Sequence, residues 1–209
     1  MDDVSIPGTA VPSVHIVRCD DWGAQAAKSP IQILDKAPTM IVVHHTATPN
    51  AADVSRSHGV MLARSVQQGH FSNGWSDSGQ HFLVTRGGYI FEGRHGSYDA
   101  MATGSKHVVG AHTQGKNDVA VGIENEGNYM TVAPPDELWD ALANLCAVIC
   151  RLYGLKPADI YGHRDFNSTL CCGDKLYGKL GDLRHLVEML LLRRRCDVAD
   201  WFKPVTPWY

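Results

Sequence analysis

The residues best suited to chemistry are histidines and cysteines in two distant segments. His44 and His45 stand side by side, and His163 precedes Cys171 by eight positions. Imidazole and thiolate are the ligands that zinc prefers in proteins. Two histidines and one cysteine would fill three corners of a tetrahedron and leave the fourth for water, as in catalytic rather than structural zinc sites. These residue types therefore predict a metal-dependent enzyme.

A buried strand is expected to position the histidine pair. The apolar, largely β-branched run 39–43 leads directly into His44 and His45, and such a run is typical of a strand buried on both faces. Successive side chains of a strand point to opposite faces. Only one of the two histidines is therefore expected to face the metal.

A second buried strand is predicted over 119–123, and it would place Glu124 and Glu126 at its end. The two-residue period directs both carboxylates to the same face. Either could serve a metal site there, and a salt-bridged or surface role is the alternative for each.

The remaining pattern alternates strands with helices. It predicts a hairpin over 81–91, a long loop over 94–117, and helices over 53–68, 136–153 and from Asp182, with Asn50 as the cap of the first. We therefore expect an α/β fold in one domain, with a mixed central β-sheet flanked by helices and a catalytic zinc at one edge of an open groove. The domain is predicted over 15–196, with terminal extensions over 1–14 and 197–209. Aromatic residues of the tail could attach it to the body: Trp201, Phe202, Trp208 and Tyr209.

Composition excludes several classes of function. The 209 residues carry a formal net charge of −3, so no basic field favours nucleic acid. No apolar run approaches the roughly 20 residues that cross a bilayer, and the acidic start does not resemble a secretory signal. We expect a monomer that binds neither nucleic acid nor membrane.

The spacing of the six cysteines is not that of a disulfide scaffold, and Cys146 and Cys150 are expected to be buried thiols.

Five short motifs, in order along the chain, resemble those of the zinc-dependent N-acetylmuramoyl-L-alanine amidases. This family includes the peptidoglycan recognition proteins and phage lytic amidases. The motifs lie at 44–48, 74–79, 110–112, 162–165 and 169–173, and the resemblance extends from about Arg18 to about Leu180. It implies hydrolysis of the amide between N-acetylmuramic acid and the first L-alanine of the peptidoglycan stem peptide.

The resemblance also implies the metal ligands. It assigns zinc (Zn²⁺) to His44, His163 and Cys171. Members of the family without amidase activity typically lack this cysteine, so its presence favours catalysis. Cys172 stands where the family usually has proline. Ligation by Cys172, or a disulfide between the two neighbours, is an open alternative.

The resemblance implies catalytic residues as well. Many of these amidases carry a tyrosine where this chain has Gln80, which cannot act as a general base. The related anhydro-muropeptide amidases use a glutamate at the end of a Gly-Ile-Glu strand, so Glu124 is predicted as the base, with Glu126 as its rival. Thr169 is predicted to donate to the oxyanion, or alternatively to cap the local turn.

A groove beside the metal is expected to bind the substrate. The predicted contacts are Trp75, Gln80, Arg94, His112 and Asn117. Trp75 could instead lie in the core, and His112 could be a surface residue.

Two other functions remain open, a recognition module that does not cut peptidoglycan and a zinc peptidase that cuts within the stem peptide. The expected location is extracellular or the cell wall, or the host cytosol for a phage endolysin.

Overall fold

A computed structural model describes residues 14–200 of the chain, with side chains over 14–192. Its strands, in chain order, are β1 (Ile16–Val17), β2 (Ile33–Leu34), β3 (Met40–His45), β4 (Phe82–Val84), β5 (Ile90–Glu92), β6 (His107–Val108), β7 (Ala120–Asn125) and β8 (Ile160–Gly162). Six of them form one sheet in the order β1-β5-β4-β7-β3-β8, while β2 and β6 pair separately. The hairpin β4–β5 is antiparallel and the other neighbours in the large sheet are parallel. The predicted mixed sheet is confirmed.

Helices cover both faces of this sheet. They are α1 (Cys19–Trp22), α2 (Arg56–Ser72), α3 (Ser97–Thr103), α4 (Asp136–Tyr153), α5 (Asp174–Gly178) and α6 (Leu180–Asp200), with short 3-10 turns at Pro157–Asp159 and His163–Asp165. One face packs against the apolar stripe of α4 and against α6, and the core there includes Ile41, Val43, Ile123, Leu142 and Leu183. The opposite face packs against α1 and α2 through Val17, Trp22, Ala63, Leu83 and Phe91. The expected α/β architecture in a single domain is therefore observed.

Several boundaries differ from the predicted ones. The cap of α2 is Ser55, whose hydroxyl accepts the backbone N–H of His58 at 3.2 Å, whereas the Asn50 side chain pairs with the backbone of Asn128. Helix α6 begins at Leu180, before the predicted cap Asp182, and extends to Asp200, while the domain bounds of 15–196 stay a prediction. The predicted 94–117 loop contains α3 and β6, while β1, β2 and β8 were not predicted. Short elements carry too few residues to show a clear hydrophobic period. The aromatic tail from Trp201 lies outside the described residues.

The cysteines of the described side chains are all free thiols. Cys146 and Cys150 are buried on α4, as expected for small apolar side chains, and Cys171 and Cys172 are not joined to each other. Within residues 14–200, no helix combines the length and apolar character that a membrane span requires.

Candidate active site

The pairing of β3 with β7 brings two polar side chains together at the carboxyl end of the sheet. His44 pairs in parallel register with Glu124, so both side chains lie on the face that carries α2. His45 turns to the other face, where its Nδ1 accepts the backbone N–H of Tyr129 at 3.2 Å. The alternation along β3 therefore leaves only His44 beside Glu124.

Three potential metal ligands meet at this point. The donor atoms of His44, His163 and Cys171 all lie within 4.8 Å of one another. The His44 Nδ1 and the Cys171 Sγ are 3.7 Å apart. Tetrahedral zinc, with usual bond lengths of ~2.0–2.1 Å to nitrogen and ~2.3 Å to sulfur, would separate two such donors by about 3.6 Å. The donor set therefore suits a divalent metal of the zinc type.

Arg164 holds the segment that supplies the thiol. Its Nε donates to the Cys171 carbonyl at 3.2 Å, its Nη2 donates to the Leu170 carbonyl, and its Nη1 contacts Asp174 at 2.8 Å. The Thr169 hydroxyl accepts the Cys171 N–H at 3.2 Å, which is the turn-capping role considered for this residue. The motif residues around His163 thus fix the backbone of Cys171 rather than contact the metal position themselves.

Cys171 and Cys172 occupy different environments. Cys172 is fully buried in the core cluster beneath α4 and α6. Cys171 is half-buried, and its Sγ accepts the His45 backbone N–H at 3.4 Å. Among the side chains described, only Cys171 joins the two histidines. This geometry favours Cys171 as the ligand.

The hydrogen bonds of His112 determine the tautomer of His44. The Nε2 of His112 faces the Ala120 carbonyl at 3.1 Å, which can only accept, so the other ring nitrogen of a neutral His112 is an acceptor. That Nδ1 lies 3.0 Å from the His44 Nε2, with the Thr113 hydroxyl beside both. The Nε2 of His44 must therefore donate, and its Nδ1 lone pair faces Cys171.

Burial sets the protonation of these groups. It lowers the pKa of His44, His112 and His163, so the imidazoles are neutral near pH 7, as metal ligation requires. Burial also raises the pKa of Cys171 to about 12, with a smaller contribution from the charge of Glu124. Metal binding would have to displace the thiol proton.

The two candidate carboxylates have different partners. Glu126 is buried, with one oxygen 2.7 Å from the His58 Nε2 and the other accepting the Arg86 N–H at 2.8 Å. Glu124 has a buried Oε2 without a hydrogen-bond partner, and burial raises its pKa to about 7. Glu126 is therefore held in a structural network, whereas Glu124 retains a free proton acceptor beside His44.

The predicted groove contacts separate into exposed and buried residues. Trp75 is 37% exposed and stacks on His70 with ring centroids 4.6 Å apart. Gln80 is only 2% exposed, and the 8% exposed Arg94 already donates to the Ser78 carbonyl and the Ser76 hydroxyl. Both side chains are thus buried, and their direct contact with substrate stays a prediction.

His112 and Asn117 are hydrogen-bonded to each other, and His112 contacts the candidate metal ligand His44. The Asn117 Oδ1 accepts the backbone N–H groups of His112 and Thr113 at 2.8 and 2.9 Å, and both ring nitrogens of His112 are already hydrogen-bonded. In the structure both residues support His44, and their contact with substrate stays a prediction. Sequence reasoning missed this supporting role, as well as Asn167, whose Oδ1 lies 3.0 Å from the His163 Nε2. The only available signal was an asparagine four positions after a ligand histidine.

Comparison with known proteins identifies the family. The model of the N-acetylmuramoyl-L-alanine amidase family matches residues 34–174. The chain belongs to this family. The matched region contains all three residues of the His44, His163 and Cys171 cluster.

Curated relatives include enzymes and recognition proteins. The chain is 30% identical to peptidoglycan-recognition protein LB of Drosophila melanogaster, over 87% of this chain and 74% of that protein. It is 32% identical to the human N-acetylmuramoyl-L-alanine amidase over 90% of this chain. The match spans only 31% of the human protein's own length.

Solved structures share the fold. Wild-type Drosophila PGRP-LB superposes with a TM-score of 0.71 at 29% identity, covering 83% of this chain and 96% of the other. A variant of that protein in complex with tracheal cytotoxin gives a TM-score of 0.69 at 30% identity, with coverages of 79% and 92%. The amidase LysC from Clostridium intestinale, at 24% identity, gives 0.67 with coverages of 84% and 99% and is similar in fold.

A tight contact between Gly122 and His112 yields a stability prediction. A Cβ atom on Gly122 would lie 2.5 Å from the His112 Cγ, so Gly122→Ala should lower the free energy of unfolding by about 1–3 kcal/mol. The control is Gly69→Ala on α2, where no heavy atom lies within 4 Å of the new Cβ. This control should raise stability by about 0.4–1 kcal/mol. Urea unfolding of both variants measures the difference. If both substitutions changed the free energy of unfolding in the same direction, the predicted clash with His112 would be wrong.

The raised pKa of Glu124 predicts a pH-dependent stability in the metal-free protein. Because the pKa rises from 4.5 to about 7 on folding, the folded state holds the proton more tightly than the unfolded chain. Wild-type stability should therefore fall, relative to Glu124→Gln, as the pH rises from about 4.5 to about 7. At 1.36 kcal/mol per pKa unit the deficit approaches about 3 kcal/mol at pH 8. Urea unfolding of both proteins at pH 4 and pH 8 tests this, and an equal difference at both pH values would refute it.

Proposed function

We propose that this protein is a zinc-dependent N-acetylmuramoyl-L-alanine amidase that hydrolyses the bond between N-acetylmuramic acid and L-alanine in peptidoglycan. The observation that carries the proposal is the convergence of His44, His163 and Cys171 beside Glu124, whose Oε2 has no hydrogen-bond partner. Family membership supports the reaction class.

The proposed ligands fit zinc by chemistry and spacing. Two neutral imidazoles and one sulfur are the donors this ion prefers. Within the described part of the chain, no fourth histidine, cysteine or acidic residue joins the cluster. When bound, zinc would polarise the scissile carbonyl and lower the pKa of a water to about 7.

Glu124 is the proposed general base and acid. Its free oxygen would take a proton from the attacking water as the new carbon–oxygen bond forms. The protonated carboxyl would then give that proton to the leaving nitrogen as the carbon–nitrogen bond breaks. Burial raises the pKa of Glu124 to about 7 in the metal-free protein, and a bound cation would lower it again and so favour the carboxylate form that accepts the proton.

Thr169 is the proposed donor to the developing oxyanion. Its oxygen already accepts the Cys171 N–H, which leaves the hydroxyl hydrogen available to donate. Capping and catalysis are therefore compatible at this residue. A preorganised donor of this kind stabilises the tetrahedral transition state more than the planar substrate.

The proposed substrate site lies around Trp75, whose exposed ring could stack on a sugar or peptide group. Structures similar to this chain include recognition proteins in complex with tracheal cytotoxin, which is described as a monomeric diaminopimelic acid-type peptidoglycan. These complexes support peptidoglycan as the partner. A monomer acting outside the cell or on the cell wall, or in a host cytosol as an endolysin, is consistent with the proposal.

A non-catalytic recognition module is the second candidate, and one observation favours it. Gln80 occupies the position of the family tyrosine and is buried. If catalysis needed a tyrosine there, this chain would bind peptidoglycan without cutting it. The proposal instead makes turnover depend on Glu124.

Activity on purified cell wall separates these candidates. We expect release of stem peptides with a new L-alanine amino end, loss of release with a chelator, and recovery with zinc. Zinc-loaded Glu124→Gln should lose about 10²–10⁴-fold in rate, the usual contribution of general acid–base catalysis. Glu126→Gln is the matched control. Binding without release would favour the recognition module, and a different new amine end would indicate a peptidase.

Metal analysis of two neighbouring variants tests the ligand assignment. Cys171→Ser should lose stoichiometric zinc, because a hydroxyl replaces the thiolate ligand. Cys172→Ser should keep its zinc but lose about 1–3 kcal/mol of stability, because it buries a hydroxyl in an apolar core. The measurement is zinc content by mass spectrometry beside thermal unfolding. Zinc retained in Cys171→Ser and lost in Cys172→Ser would reverse the assignment.

A further inference from the structure

Asn167 lies between the segment that carries two proposed ligands and the loop that supports the third. We propose that Asn167 is a positioning residue, which fixes the ring of His163 for metal binding and ties it to the loop over 112–117. The inference rests on the metal site of the proposed function. It deepens that site by naming the group that orients His163.

The amide of Asn167 makes two contacts of opposite kind. Its Oδ1 lies 3.0 Å from the His163 Nε2, and its Nδ2 donates to the Gln114 carbonyl at 3.4 Å. A carbonyl can only accept, so an amide turned the other way would set two acceptors against each other. The Gln114 carbonyl thus fixes which end of the amide faces His163.

The orientation of the amide determines the tautomer of His163. Because the Asn167 oxygen can only accept, the His163 Nε2 must carry the proton. In the neutral ring that metal ligation requires, Nδ1 then holds the free lone pair. Asn167 therefore selects Nδ1 as the atom available to a metal.

The second contact connects the supports of the two histidines. Gln114 belongs to the turn in which the side chain of Asn117 accepts hydrogen bonds from the backbone of His112 and Thr113. The Nδ1 of His112 in turn accepts a hydrogen bond from the His44 Nε2. Lys116 of the same turn lies 5.2 Å from the ring centroid of Phe166. Asn167 thus closes a chain of contacts that runs from His163 to His44.

His163 needs this support because its local structure is short. It begins a 3-10 turn of three residues and is half-buried, and its ring is hydrogen-bonded to Asn167 through Nε2. Outer partners that hold a ligand histidine typically contribute 10–100-fold to metal affinity. Loss of the Asn167 amide should therefore weaken zinc binding without removing a ligand.

Zinc affinity and imidazole tautomers test the inference. We expect Asn167→Ala to bind zinc 10–100-fold more weakly than wild type in a chelator competition. Asn167→Asp keeps the acceptor that faces the His163 Nε2 but loses the donor to the Gln114 carbonyl, so its zinc affinity should lie between those of wild type and Asn167→Ala. Asn144→Ala, which removes a side-chain amide from the exposed face of α4, is the matched control and should not change the affinity.

Nitrogen-15 NMR of the metal-free proteins provides the second readout. The His163 Nε2 should carry the proton in wild type and Asn167→Asp, and the tautomers should mix in Asn167→Ala. Equal zinc affinity of Asn167→Ala and wild type, with an unchanged His163 tautomer, would overturn the inference. Failure of the proposed function would give a different result. The wild-type protein would then bind no zinc or would not cut cell wall, although the tautomer of His163 could still be measured.

Discussion

The parallel, in-register pairing of β3 and β7 is the constraint on which the site depends. It places His44 directly opposite Glu124, on strands that lie about 4.8 Å apart. Both side chains point to the face that α1 and α2 cover only in part, while the next residue of each strand points into the α4 and α6 side. A shift of one residue in this register would turn Glu124 to the opposite face of the sheet, away from His44.

The other two candidate ligands come from a segment made of a 3-10 turn and a loop, which is held by hydrogen bonds to its backbone. Arg164 donates to two consecutive carbonyls before Cys172, and Asp165 accepts the Gly162 N–H at 2.8 Å. The His45 backbone donates to the Cys171 sulfur. Since backbone groups of a loop need partners when they are partly buried, these bonds both satisfy the loop and set the thiol at the edge of the sheet.

Unpaired polar atoms help to distinguish the structural residues of this molecule from its candidate catalytic residues. Glu126 satisfies both of its oxygens through His58 and Arg86, and it stabilises the junction of α2 with the hairpin. Glu124 instead keeps one buried oxygen without a partner, an arrangement that destabilises its charged form and is common where a group must exchange protons. Gln80 also has an unpaired buried oxygen, but an amide cannot use it for proton transfer.

The sequence by itself determined the buried strands, the long helices and the residue types of the metal cluster, because hydrophobic periodicity and ligand chemistry are local properties. Alternation along β3 was enough to predict that His44 and His45 diverge. Only the tertiary structure showed that Glu126 is paired while Glu124 keeps an unpaired oxygen, because their strand period is the same and the partners of Glu126 come from distant segments. It also buried Gln80 and placed Asn167 against His163, since burial and hydrogen-bond partners depend on how separate loops pack together.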